Sequence, residues 1–247
     1  MQEKELIVKI KEIEKKTGLF CGLVALELGR EENLICYRSD EQFAAASLIK
    51  LPLALGIYYS GLKMDEEIKI LEKDYFSGSG VLQDMRPKSL TVFELLALLL
   101  SQSDNSAQNV LVRTWGVLKF RQFIKSLGLK KTMFLALGGK SHSLTTGSDI
   151  AALAEIIYAN KLLLEFLSRT PFNPSASFIP KAKKYYHKIA RRPEAISDFI
   201  IIEDKKKVFL IVSVLFGKKE KSEKELNNLN KVAYKYLCHQ DSSIPKK

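Results

Sequence analysis

The chain has 247 residues, 46% of them hydrophobic, which is enough for one large domain or two interleaved lobes, and no apolar run approaches the length of a membrane span. Lys and Arg outnumber Asp and Glu by 39 to 28, giving a formal charge of +11, but there is no basic groove interleaved with aromatics and no nucleic-acid motif, so solvated lysines are expected and nucleic acid is not an expected partner. The three cysteines, Cys21, Cys36 and Cys238, have no C-x-x-C spacing and no cluster with His, which argues against a disulfide framework, a structural zinc site or any other metal centre.

The first predicted element is an amphipathic helix over Glu3–Lys16, with Leu6, Ile7, Ile10 and Ile13 spaced for one face and Gly18 as its stop. Leu19–Leu28 reads as a strand, Gly29–Asn33 as a turn and Leu34–Tyr37 as the start of a return strand. Cys21 and Cys36 fall in these neighbouring segments and are expected to be buried thiols acting as small hydrophobes. A helix is predicted from Ser47 to about Tyr59, with Pro52 near its first turns, where a missing N–H costs least. The middle, from about Lys63 to Phe172, reads as mostly helical, punctuated at Gly78–Gly80 and Gly138-Gly139, with Leu95–Leu100 as its buried centre. From Lys183 the period changes to that of strands: Lys183–Ala190, Ile196–Glu203 and Val208–Phe216, the last two joined by a turn at 204–207. Ser222–Cys238 closes the chain as a helix with Leu226, Leu229, Val232, Ala233 and Tyr236 on one face. A sheet built from both ends of the chain, with terminal helices on it and a helical insert between, is an α+β pattern. The expected division is one domain over 1–247, with a sheet lobe at about 1–60 and 180–247 and a helical lobe at about 61–179.

The residues that carry chemistry begin with Ser47-Leu48-Ile49-Lys50, set after Ala44-Ala45-Ala46 where an apolar helix starts. At this spacing Ser47 and Lys50 lie one turn apart on one helical face. An amine withdrawn from water beside a hydroxyl is pushed toward neutrality and can take the hydroxyl proton, so no histidine is needed. Ser103-Asp104-Asn105 follows about fifty residues later. Each motif alone is commonplace: an ordinary helix start with a solvated lysine, and a turn or N-cap. Their joint occurrence, in this order, is the S-x-x-K and S-D-N pair of class A β-lactamases and penicillin-binding proteins.

The resemblance extends through Gly78-Ser79-Gly80-Val81-Leu82-Gln83, Leu90–Leu96, Ser101–Asn109 and Thr145–Ile150, and covers about residues 5 to 238. The chain resembles the class A serine β-lactamase and penicillin-binding family. The resemblance implies an antiparallel five-stranded sheet with flanking terminal helices beside an all-helical lobe, and an active site between them. It implies Ser47 as nucleophile, Lys50 as proton acceptor and Ser103 as the group passing a proton to the leaving nitrogen. It implies Asn105 as a partner of the substrate amide, the Ser47 and Arg191 backbone N–H groups as an oxyanion hole, and Asn109 as a brace for the loop flooring the site. It implies a small-molecule or cell-wall peptide substrate, no cofactor, a monomer and a place outside the cytoplasm, although Met1–Leu6 does not read as a secretory signal.

Two departures stand out. The family's third motif, Lys-Thr-Gly or Lys-Ser-Gly, falls on His187-Lys188-Ile189-Ala190. Lys188 is kept as a substrate-binding candidate, but Ile189 has no donor for a substrate carboxylate, and Ala190 adds a methyl where a substrate approaches closely. Arg191 or Arg192 is the candidate replacement. The second departure is larger: from Ser106 through Ser148 there is no Asp or Glu, so no register supplies the glutamate that activates the deacylating water in class A enzymes. The loop at about Met133–Leu144 also looks short, and His142 is its one titratable candidate for a substitute base, with a surface histidine as the preferred reading. Intact Ser47, Lys50, Ser103 and Asn105 favour an acyl-enzyme former with slow deacylation. The altered strand favours the alternative, a catalytically impaired relative that binds a ligand or polymer through the cleft or the basic surface.

Overall fold

A computed structural model describes residues 1–30, 34–135, 142–171 and 174–239. The chain opens with α1 (Glu3–Thr17), β1 (Phe20–Glu27), β2 (Ile35–Tyr37) and β3 (Phe43–Ala44). A 3₁₀ turn, Ala46–Ile49, runs directly into α2 (Lys50–Tyr59). Then come β4 (Glu67–Lys69), a 3₁₀ turn at Glu72–Asp74, α3 (Leu82–Met85), β5 (Ser89–Thr91), α4 (Val92–Ser101), α5 (Asn105–Trp115) and α6 (Val117–Ser126). β6 (Leu144–Thr145), α7 (Gly147–Ala151), α8 (Ala154–Ala159) and α9 (Lys161–Ser168) complete the middle. The long strands β7 (Lys184–Arg191), β8 (Ala195–Asp204) and β9 (Lys207–Phe216) lead to α10 (Glu223–His239).

The expected α+β architecture is present. Five strands form one antiparallel sheet in the order β2-β1-β9-β8-β7, so β7 is an edge strand. The central strands are buried on both faces, which is why they read as nearly unbroken apolar runs. Their alternation still sorts the side chains. Leu210, Val212 and Val214 face the helical core, whereas Phe209, Ile211 and Leu215 face the core beneath α1 and α10.

The caps explain several boundaries. Gly18 ends α1 in the left-handed conformation, with φ 65° and its N–H donated to the Glu14 carbonyl. Thr91 and Glu94 form a reciprocal capping box at the start of α4. Pro52 sits in the first turn of α2, where its absent N–H removes no helical bond. α2 is buried along Lys50–Ile57 and packs on α4, α5 and α6. The chain also carries two short ladders, β4 with β5 and β3 with β6, of two or three residues each, too brief for an alternation to show in the sequence.

The cysteines divide differently from expectation. Cys21 is buried, and burial pushes its thiol up to about 12, but Cys36 is exposed because the short edge strand β2 turns it to solvent. All three are free thiols. The predicted punctuation at Gly138-Gly139 and part of the 29–33 turn lie outside the described residues. Among the described residues no helix is long and apolar enough to cross a membrane.

Gly56 on α2 tests the packing between helices. A Cβ there would lie 2.3 Å from ring atoms of Trp115. Gly→Ala in a helix is otherwise favourable by about 1 kcal/mol. Overpacking costs typically ~1–3 kcal/mol, so Gly56→Ala is expected to destabilise the fold in urea unfolding despite the propensity gain.

Candidate active site

The site is assembled around the start of α5. Asp104 is the N-cap, and its Oδ1 accepts the Ala107 N–H at 2.9 Å. Its Oδ2 accepts the Val81 N–H at 2.6 Å and the Leu82 N–H at 2.9 Å, so one buried carboxylate ties the 78–82 loop to the helix. The loop comes so close that a Cβ on Gly80 would fall 2.1 Å from Asp104 Oδ2, and Gly80 has φ +107°. The tie continues down α5. Asn105 Nδ2 donates to the Ser77 carbonyl at 3.0 Å, and the Ser106 hydroxyl accepts the Phe76 N–H at 3.0 Å. Asn109 Nδ2 donates to the Asp74 carbonyl at 3.2 Å, while the Arg113 guanidinium grips the Asp74 carboxylate. Asn109 therefore holds the 72–74 turn, and the described part of the 133–144 loop is fixed by other groups.

Ser103, the residue before this cap, has φ 55°, unusual for a residue with a Cβ. That turn aims its hydroxyl across the lobe, 2.8 Å from Ser47 Oγ. Ser47 lies in the 3₁₀ turn Ala46–Ile49, and Lys50 is the first residue of α2, so the two share a face as the spacing predicts. Lys50 Nζ is 3.5 Å from Ser47 Oγ and 3.3 Å from Ser103 Oγ. It donates to Asn105 Oδ1 at 2.9 Å and to the Ser103 carbonyl. Only 1% of Lys50 is exposed. Burial lowers its pKa to about 7, helped by the Arg192 charge and opposed by the Asp104 carboxylate. A neutral amine has two N–H donors and one lone pair. Asn105 Oδ1 and the Ser103 carbonyl take the donors, which leaves the lone pair for a hydroxyl, and both nearby hydroxyls are serines.

Ser47, Ser79, Ser101, Gln102, Ser103, Thr170, Pro171, Lys188, Ile189 and Arg191 line a cleft of about 380 Å³. Its far wall is the edge strand β7, which packs against the Ser47 turn and α9. The structure thus brings together Ser47, Lys50, Ser103, Asn105, Lys188 and Arg191, but the last two are engaged elsewhere. Lys188 is buried and its Nζ donates to the carbonyls of Leu100 (2.8 Å) and Leu99 (3.3 Å) at the end of α4. Burial holds its pKa well below the usual lysine value, and the Lys50 charge lowers it further against the opposing Asp198. The Arg191 guanidinium is bound to the Glu223 carboxylate, with Nε at 2.7 Å. Glu223 is a residue that sequence reading missed; its one signal is an acid in the first turn of a helix. Ile189 borders the cleft where the motif has a hydroxyl, and its side chain packs toward the core beneath α1 and α10.

None of the described residues lining the cleft carries a carboxylate. Met133 and Leu144 pair in an antiparallel bridge, and residues 136–141 between them lie outside the described residues. His142 lines a separate cavity with Phe43, Leu144 and Phe216 rather than the cleft. The first acid after the gap, Asp149, is committed to the Lys131 N–H and the Thr132 hydroxyl, each at 2.8 Å. Among the described residues no cluster of His, Cys, Asp or Glu is arranged to hold a metal.

Asp104→Ala would leave three backbone N–H groups without their acceptor. Each unsatisfied buried donor costs roughly 1–3 kcal/mol, so a loss of at least about 3 kcal/mol is expected in chemical unfolding, with release of the 78–82 loop seen as faster amide exchange at Val81 and Leu82.

The same architecture occurs in solved structures. A β-lactamase from Sphaerobacter thermophilus superposes with a TM-score of 0.85 at 19% identity over 100% of both chains. A β-lactamase from Burkholderia vietnamiensis gives 0.84 at 19% identity, covering 95% of this chain and 97% of that one. A variant of PBP-A, captured as its acyl-enzyme complex with penicillin G, gives 0.81 at 18% identity over 93% and 96%. At these identities the likeness establishes the fold. The sequence model of the β-lactamase enzyme family matches residues 5–237, nearly the whole chain, and the chain belongs to that family.

Proposed function

We propose that the chain is a serine acyl-enzyme hydrolase of the β-lactamase and penicillin-binding type that acylates readily and deacylates slowly. The observation that carries this reading is the buried amine of Lys50, 3.5 Å from Ser47 Oγ, with its N–H bonds directed to Asn105 and Ser103. Ser47 attacks the carbonyl of an amide or ester while Lys50 takes its proton. Ser103, 2.8 Å from Ser47, relays a proton to the leaving nitrogen. The Ser47 N–H lies in the first turn of a helix, where backbone donors have no intrahelical partner, and serves the oxyanion together with the Arg191 N–H on β7. Asn105 keeps one amide hydrogen for the acyl side chain after its bond to the Ser77 carbonyl. The substrate is a small amide or ester, or a cell-wall peptide.

Deacylation needs a second proton acceptor beside the incoming water. The absence of Asp and Glu from Ser106 through Ser148, and from the cleft lining, supports a slow second step. Losing a general base costs ~10²–10⁴-fold in rate. A penicillin-binding trap is therefore favoured over an efficient β-lactamase. The altered strand supports a second reading, a cleft that binds ligand without acylating. The two readings separate on the mass of the protein after exposure to substrate.

Incubation with a panel of β-lactams and activated esters is expected to give one stoichiometric adduct, long-lived by intact mass, with a nitrocefin burst and little turnover. Ser47→Ala is expected to abolish the adduct. Labelling of the mutant equal to wild type removes Ser47 from the role, and no adduct with any probe moves the chain to the binding reading.

The rate of labelling is expected to follow the neutral fraction of Lys50. Because its pKa is lowered to about 7, the rate rises with pH up to about that value and levels off above it. An unperturbed lysine would instead give a rate still climbing near pH 10. Lys50→Arg keeps the charge but cannot accept the proton, and labelling should fall by about 10²–10⁴-fold.

A further inference from the structure

The cations that line the cleft among the described residues, Lys188 and Arg191, already have partners, as does Lys50 behind them, whereas the exposed Arg192 is not part of the lining and acts on Lys50 through its charge. Lys50 is turned to Asn105 and Ser103, and Lys188 to the end of α4. That leaves Arg191, at the open rim, and Glu223 holds it. Both Nε and an Nη of the guanidinium reach one oxygen of the Glu223 carboxylate. Glu223 is itself well placed to keep this grip. It is only 25% exposed, against 53% for Arg191, and it opens the 17-residue α10, where the helix dipole favours an acid. The neighbouring Lys221 is anchored to the carbonyls of Pro193 and Gly217, which fixes the start of α10 beside the β7–β8 turn. The Arg191 charge is thus matched at the rim, and Ile189, also in the lining, has no side-chain donor.

We propose that Glu223 is a specificity-determining residue: by engaging Arg191 it closes the β7 side of the cleft to carboxylates, so that the chain takes acyl donors that are uncharged on that side. The inference builds on the acyl-enzyme reading, since it names the substrate class of the same cleft. A substrate carboxylate must displace Glu223 to reach Arg191, which cancels most of the gain from the new pair. Removing the Glu223 charge frees the guanidinium without touching Ser47, Lys50, Ser103 or Asn105.

The test measures binding rather than turnover, so that it stands apart from the acylation result. In a Ser47→Ala background no acyl-enzyme forms, and calorimetry compares benzylpenicillin with its methyl ester, ligands that differ only in the carboxylate charge. With Glu223 present, the acid is expected to bind no better than the ester. Glu223→Gln is expected to shift the acid-to-ester affinity ratio by about ten- to a hundredfold toward the acid, the scale of one hydrogen bond to a charged group. Adding Arg191→Ala should return the ratio to its starting value. Glu223→Asp, which shortens the reach but keeps the charge, reports whether the carboxylate or its placement matters and should give an intermediate ratio. A ratio unmoved by Glu223→Gln, a gain equal for acid and ester, or a gain that survives Arg191→Ala each overturns the proposal. If wild type forms no adduct with any probe, the acyl-enzyme reading fails, and the affinity ratio still decides the role of Glu223.

Discussion

The Asp104 carboxylate is the interaction on which the rest of the site depends. It accepts three backbone N–H groups, one from α5 and two from the 78–82 loop, and it is almost wholly buried. A buried carboxylate with three N–H donors has its hydrogen-bonding capacity well satisfied. That strength holds the preceding residue, Ser103, in a left-handed conformation costing roughly 1–3 kcal/mol. The strained turn is what points Ser103 Oγ at Ser47 and its carbonyl at Lys50. Asp104 thus positions two atoms of the site while neither lining the cleft nor bonding Ser47.

Lys50 shows the converse arrangement, a group whose burial is costly and useful. Only 1% of Lys50 is exposed, so its amine is withdrawn from water and a charge on it is poorly solvated. The Asp104 charge opposes the shift, and burial wins. The result is an amine near neutrality at physiological pH, with two oxygen acceptors that fix its orientation. Helix α2 sets it one turn from Ser47, and the start of α5 sets its acceptors, so this placement of the amine exists only when the two helices are packed.

The departures from the family's third motif are coherent as a set. Lys188, which the motif keeps, donates to the carbonyls at the end of α4, Ile189 stands where the motif has a hydroxyl, and Arg191 is held by α10. Along the β7 side of the cleft, Lys188 and Arg191 are thus bonded within the protein and Ile189 has no side-chain donor. The opposite side, built from the 47–50 and 103–105 segments, keeps the S-x-x-K and S-D-N residues. Separation of this kind is possible because the two sides belong to different lobes: β7 is the edge of the sheet, whereas Ser47, Lys50 and Ser103 are supported by the helical core.

The sequence by itself determined the fold class, the long strands β7, β8 and β9, the terminal helices and the pairing of Ser47 with Lys50. These follow from local periods and from a spacing that one helical turn fixes. It also determined the lack of a carboxylate from Ser106 through Ser148, because composition needs no geometry. Only the tertiary structure decided that α2 packs on α4, α5 and α6, that Cys36 faces solvent, and that Asn109 holds the 72–74 turn. It alone decided the fate of the cations. Whether a lysine or arginine meets substrate, a carbonyl or a carboxylate depends on groups far away in the chain. Glu223 reaches Arg191 because α10 folds back across the sheet, and Leu99 and Leu100 reach Lys188 because α4 ends beside β7. Long side chains on an edge strand have many conformations of similar energy, and the choice among them is made by neighbours that no local pattern identifies.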